Sequence, residues 1–156
     1  MTIAVQETTG TVVETTRFGL IEVKDEELLS IPEGIIGFDQ ETEYCLLKHS
    51  PESPFYWLQA IHKPALAFVA VNPFDFFSEY DINLNDADAD FLGIKSAADA
   101  AVITLVTISG DMVTTNLAGP IVMNGHTKTA RQLVISDSRY RTRHSLLSSM
   151  LSYEEE

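Results

Sequence analysis

Thr11-Val12-Val13-Glu14-Thr15-Thr16-Arg17-Phe18-Gly19-Leu20-Ile21-Glu22-Val23 is rich in β-branched residues, with Gly19 placed to turn the chain. It reads as β-structure, and the pattern continues outward from it. Asp25-Glu26-Glu27 precedes Leu28-Leu29-Ser30-Ile31, and Pro32-Glu33-Gly34 with Gly37 punctuates a compact loop. Short apolar, β-branched stretches follow at 44–48, 56–60, 65–71, 101–108, 113–118, 121–123 and 131–135, with turn residues between them. Strands this short and this evenly spaced predict a mainly β, antiparallel, barrel-like roll in a single domain. One short helix is predicted near residues 86–99. Asn85 or Asp86 caps it, acidic residues fill its first turn and Gly93 stops it after Phe91-Leu92; Ser96-Ala97-Ala98-Asp99 adds one more turn.

The chain has 156 residues, 45% of them apolar and 21% charged, enough for one buried core without disulfides or metals. Residues 1–10 are polar and Thr-rich and are expected to form a flexible N-terminal tail. Residues 11–147 form the domain, and 148–156 an acidic C-terminal tail. The longest apolar run, residues 65–71, falls far short of the ~20 residues of a membrane helix. Met1-Thr2-Ile3-Ala4-Val5-Gln6-Glu7 has neither the basic start nor the apolar segment of a signal peptide. A single cysteine, Cys45, has no CxxC partner. These features together predict a cytoplasmic protein with no membrane partner.

Charge is unevenly spread. The net charge is −13. Residues 1–99 hold 5 basic and 18 acidic side chains, whereas 100–156 hold 5 of each, three of the acids being Glu154-Glu155-Glu156. Such a field repels nucleic-acid phosphate, so no direct nucleic-acid binding is expected. It suits either plain solubility or docking of a basic protein.

Catalytic and metal motifs are absent from the sequence. Asp86-Ala87-Asp88-Ala89-Asp90 imitates the opening of a calcium loop, but Phe91 and Ala97 stand where that loop needs Gly and Glu. His49, His62, His126 and His144 form no HxxxH or HExxH pair, and there is no GxSxG elbow or phosphate-cradling glycine loop. No cofactor is implied and no enzyme is expected. The competing classes are a small flavin- or ligand-binding barrel and a general chaperone for amphipathic helices.

Asn72-Pro73-Phe74-Asp75-Phe76-Phe77-Ser78-Glu79-Tyr80 is the least ordinary segment. It packs four aromatics between carboxylates after a strand that Pro73 ends. Adjacent side chains diverge in an extended segment, so some rings are left outside, and an aromatic with an acidic rim is the anatomy of a protein-binding anchor. The basic stretch Arg139-Tyr140-Arg141-Thr142-Arg143-His144, taken as a strand, puts its three arginines on one face.

Several motifs resemble those of the flagellar assembly factor FliW family. They are Thr16-Arg17-Phe18-Gly19-Leu20-Ile21-Glu22-Val23 and Ile31-Pro32-Glu33-Gly34-Ile35-Ile36-Gly37-Phe38. They continue with Phe55-Tyr56-Trp57-Leu58-Gln59-Ala60 and Leu66-Ala67-Phe68-Val69 through to Phe77. Asn116-Leu117-Ala118-Gly119-Pro120-Ile121-Val122-Met123-Asn124 and Tyr140-Arg141-Thr142-Arg143-His144-Ser145-Leu146 complete the set. The motifs run in the family's order and spacing across residues 16–147. The N-terminal tail is longer than the family pattern, and Ser145 stands where Pro is common.

The resemblance implies a non-enzymatic regulator with two partners, flagellin and the small RNA-binding translational repressor CsrA. Held by this protein, CsrA does not repress flagellin translation; accumulating flagellin competes for the protein and frees CsrA. For CsrA, the expected docking surface is Asp75, Glu79, Asp81, Asp86, Asp88 and Asp90. For the amphipathic helices of flagellin, the expected groove is lined by Phe74, Phe76, Phe77 and Tyr80, with Ile35, Ile36 and Phe38 as a second wall.

Overall fold

The computed structural model describes residues 10–146. The tails expected at 1–10 and 148–156 lie outside the described residues, except Gly10, which opens the first strand. That strand, β1 (Gly10–Thr15), pairs antiparallel with β2 (Gly19–Lys24). Gly19 takes φ +72, and the Thr15 hydroxyl donates to its carbonyl while accepting the Phe18 amide, so the turn is closed by side chain as well as backbone.

The remaining strands form one antiparallel sheet: β3 (Leu28–Ser30), β4 (Glu43–Lys48), β5 (Phe55–Ala60), β6 (Ala67–Val71), β7 (Ala100–Ser109), β8 (Met112–Thr115), β9 (Ile121–Asn124), β10 (Ala130–Gln132) and β11 (His144–Ser145). Its main order is β10-β9-β7-β6-β5-β4-β3, with β8 on β7 and β11 on β8. The ten-residue β7 is the hinge of the arrangement. Its first half pairs with β9, its middle with β6 and its end with β8. The two outer strands then approach each other. The Ser30 amide donates to the Lys128 carbonyl at 2.9 Å, and Ser30 bridges Thr129. This touch is not a continuous ladder, so the sheet is a barrel-like roll and not a closed barrel.

Strand alternation sorts the apolar residues onto two faces. Tyr44 and Leu46 of β4 point into the main core with Leu29, Ile31, Leu58, Ala70, Ile103 and Ile121, whereas Cys45 and Leu47 face the β1–β2 hairpin with Val13 and Val23. A third cluster lies under α1 (Asp86–Leu92), where Leu92 and Ile94 cover Val122 and Leu133. The Asn85 side chain caps α1 by accepting the Asp88 amide at 2.8 Å, and Gly93, at φ +68, ends it. The Asn124 amide group donates to the Leu92 carbonyl at 2.9 Å while its oxygen accepts the His126 and Thr127 amides. One buried side chain thus pins the helix end to the β9–β10 turn. Ser96-Ala97-Ala98-Asp99 forms the expected extra turn, as a 3-10 turn.

Candidate partner-binding surface

The aromatic segment folds as a short knot. The Asn72 side chain accepts the Phe74 amide at 3.0 Å, Pro73 opens a 3-10 turn, and the Phe77 amide returns to the Pro73 carbonyl. This local coiling divides the rings. Phe74 stays 44% exposed, Phe76 and Phe77 are half-buried, and Tyr80 is 6% exposed. Tyr80 serves as a strut while its ring, 5.7 Å from that of Phe74, still lines the hollow beside it: its hydroxyl donates to the Leu117 carbonyl, and burial pushes its phenol well above the ordinary value. Tyr140 meets the Tyr80 ring edge-on at 4.8 Å and accepts the Asp81 amide at 3.0 Å, and Phe77 meets His144 at 5.9 Å.

Phe74 borders a hollow of about 420 Å3 lined by Ile82, Leu84, Ile94, Ala100 and Val102, with Asp81 and Lys95 at its mouth. Sequence reasoning passed over Ile82 and Leu84. The signal was there, in the apolar-polar alternation of Asp81-Ile82-Asn83-Leu84-Asn85.

Of the six nominated carboxylates, Asp75, Glu79, Asp81, Asp86 and Asp90 are exposed. Asp88 is not free to dock a partner, because it accepts Arg131 Nη1 at 3.0 Å with both side chains about four-fifths covered. Arg131 also donates to Glu33 at 2.6 Å and lies 3.5 Å over the Phe91 ring, so it ties the Pro-Gly loop to α1.

That loop is rigid. The Phe38 amide donates to the Ile35 carbonyl at 2.6 Å with Gly37 at φ +89. At Gly34, φ +72, an added Cβ would sit 2.5 Å from the Asp39 Cα, so no other residue fits. The turn presents Ile36, 66% exposed and held through its amide by the Gln132 side chain at 2.8 Å. Phe38 is exposed beside it and rests edge-on against Phe68 at 5.1 Å. Ile35 faces inward, 2% exposed, and belongs to the main core instead of a second groove wall.

The basic stretch is not a strand along its length; only His144–Ser145 pairs, with β8. Asp137 intervenes. Its carboxylate takes the Arg139 amide and guanidinium, and its carbonyl accepts the Tyr140 amide, which turns the chain. Cys45 is buried, and burial pushes its thiol up to about 11, so it packs as a small apolar group. His62 pairs with Glu43 and His126 with Asp99, and no group of three His, Cys, Asp or Glu among the described residues could hold a metal.

A family model described as FliW protein matches residues 11–146. The flagellar assembly factor FliW of Alkaliphilus metalliredigens is 36% identical over 148 residues, covering 93% of this chain and 91% of that protein. That of Moorella thermoacetica is 40% identical over 147 residues, covering 92% of each. The crystal structure of a flagellar assembly factor FliW superposes with a TM-score of 0.79 at 34% identity, over 87% of this chain and 96% of that one.

Proposed function

The chain belongs to the FliW family, and from that premise we propose that it is a cytoplasmic flagellar assembly factor that binds unassembled flagellin and, when free of it, binds CsrA and lifts the repression of flagellin translation. It acts by protein–protein binding and not by catalysis. No helix among the described residues is long and apolar enough to cross a membrane.

The observation that carries the CsrA half is the juxtaposition of exposed Asp75, Glu79 and Asp81 with the exposed ring of Phe74. An apolar anchor rimmed by carboxylates fits a basic partner and rejects the RNA which that partner binds. Asp86 and Asp90 on α1 extend the acidic field. Antagonism need not occupy the RNA site, since acidic side chains beside it repel phosphate.

Titration calorimetry of the purified protein with unassembled flagellin and with CsrA tests the reading. Micromolar or tighter binding to both is expected, with a negative heat-capacity change for flagellin and a strong salt dependence for CsrA. Failure to bind either partner overturns it.

A further inference from the structure

The hollow beside Phe74 has walls that stay partly in water. Its floor is the buried Ile94 and Val122 with the Tyr80 ring, and its walls are Ile82, Leu84 and Val102, each half-buried. An apolar side chain entering this space of about 420 Å3 takes that surface out of water.

One wall is strand-like but belongs to no ladder. Exposure alternates along Asp81-Ile82-Asn83-Leu84-Asn85, with the odd positions exposed and the even ones half-buried, as in an extended chain. At one end the Asp81 amide donates to the Tyr140 hydroxyl, and at the other the Asn85 carbonyl accepts the Ala89 amide. Between them the amides and carbonyls of Ile82, Asn83 and Leu84 bond to nothing among the described residues and are left to water. In an extended chain Ile82 and Leu84, two residues apart, turn their main-chain groups to the same edge. That edge is free to take a strand.

Charge around the hollow has mostly one sign. Residues 74–99 carry seven carboxylates against Lys95 alone, and Arg131 and His126 take only Asp88 and Asp99 of the seven. Asp75, Glu79, Asp81, Asp86 and Asp90 make no ion pair among the described residues. Asp81 lies at the mouth, and Asp86 stands on α1 one turn before Ala89, which lines the hollow. Lys95 at the same mouth offsets one of these two. Arg139 feels the Asp81 charge but is already held by Asp137. The balance stays negative and selects a basic occupant.

We propose that an extended segment of the basic partner adds as a strand to the Ile82–Leu84 edge. Its apolar residues, on the face of Ile82 and Leu84, enter the hollow, and the lysines or arginines between them lie on the outward face with Asp81. A helix does not suit this edge, because its main-chain groups are already bonded to one another. The inference rests on the reading above that the chain binds CsrA, and it adds the mode of docking: main-chain pairing with a side chain in the hollow.

Ala97 is exposed on the 3-10 turn that borders the hollow, so Ala97→Phe fills the space without touching the core. CsrA is titrated calorimetrically into the wild type and into Ala97→Phe, and amide exchange of the isotope-labelled wild type is followed by NMR with and without CsrA. The Ile82 and Leu84 amides should exchange about tenfold or more slowly in the complex, and a folded Ala97→Phe protein should bind about tenfold or more weakly. Wild-type binding with both amides exchanging as in the free protein overturns the strand addition while the CsrA reading stands, as does a folded Ala97→Phe protein that binds like the wild type. Absence of calorimetric binding by the wild type overturns both. If Ala97→Phe does not fold, the two amides decide alone.

Discussion

The Tyr80 hydroxyl donates to the carbonyl of Leu117, 37 residues further along the chain, and so fastens the aromatic segment to the loop after β8. Tyr80→Phe keeps the ring packing and leaves that buried carbonyl without its donor. It should lower stability by about 1–3 kcal/mol, read from urea unfolding, and leave CsrA binding unchanged at 25 °C. A Tyr80→Phe protein as stable as the wild type would show that the bond contributes nothing.

Arg131 holds Asp88, Glu33 and Phe91 together. Glu33 is mostly exposed, so its pair adds little, whereas the Asp88 pair and the Phe91 stack are better covered. Arg131→Ala should cost roughly 1–2 kcal/mol by loosening α1 from the Pro-Gly loop. Thermal unfolding measures it. Glu33→Gln in the same assay should stay within about 0.5 kcal/mol of wild type.

Charge reversal at Asp75 and Glu79 separates docking from folding, because both side chains are exposed. The double Lys variant should melt like the wild type and associate with CsrA more slowly, with a proportionally smaller rise in dissociation rate. The wild-type association rate should fall as salt rises, since screening shortens charge reach to about 10 Å at 0.1 M. Stopped-flow mixing at two salt concentrations resolves both effects. Unchanged association by the double variant would remove these carboxylates from the CsrA surface.

Much of this arrangement was legible beforehand, and the gaps have physical causes. Asn85 and Gly93 marked the ends of α1 because capping is local chemistry. The strand expected at 113–118 stops at Thr115 because the Asn116 side chain takes the Ala118 amide, and the one at 131–135 stops at Gln132, after which Leu133 and Ile135 still donate singly to Pro120 and Ala118. The burial of Ile35 and Tyr80 was not legible. Both sit among residues of like hydrophobicity, and only tertiary contacts with Tyr44, Leu117 and Tyr140 decide which ring or branch turns inward. Which residues oppose Trp57 across the sheet, Leu47 and Val69, depends on register, which hydropathy along one strand does not specify.

His144 carries a pH prediction. Its Nε2 accepts the Arg141 amide at 2.8 Å, and burial, then the Arg141 charge, hold its pKa below the ordinary histidine value. The unfolded chain therefore binds the proton more readily, so the contribution is present above about pH 6.5 and is lost as pH falls through the folded value. Urea midpoints at pH 7.5 and 5.5 should differ more for the wild type than for His144→Gln. Equal differences would deny His144 a part in the acid sensitivity.

Partner exchange is the heart of the proposed activity, and one competition measurement addresses it. Labelled CsrA is first bound to the protein, unassembled flagellin is then added, and free CsrA is followed by fluorescence anisotropy together with its ability to bind flagellin mRNA. The account predicts that CsrA is released, and regains RNA binding, in proportion to the flagellin added. CsrA that stays bound, or RNA binding that does not return while flagellin is captured, would contradict it.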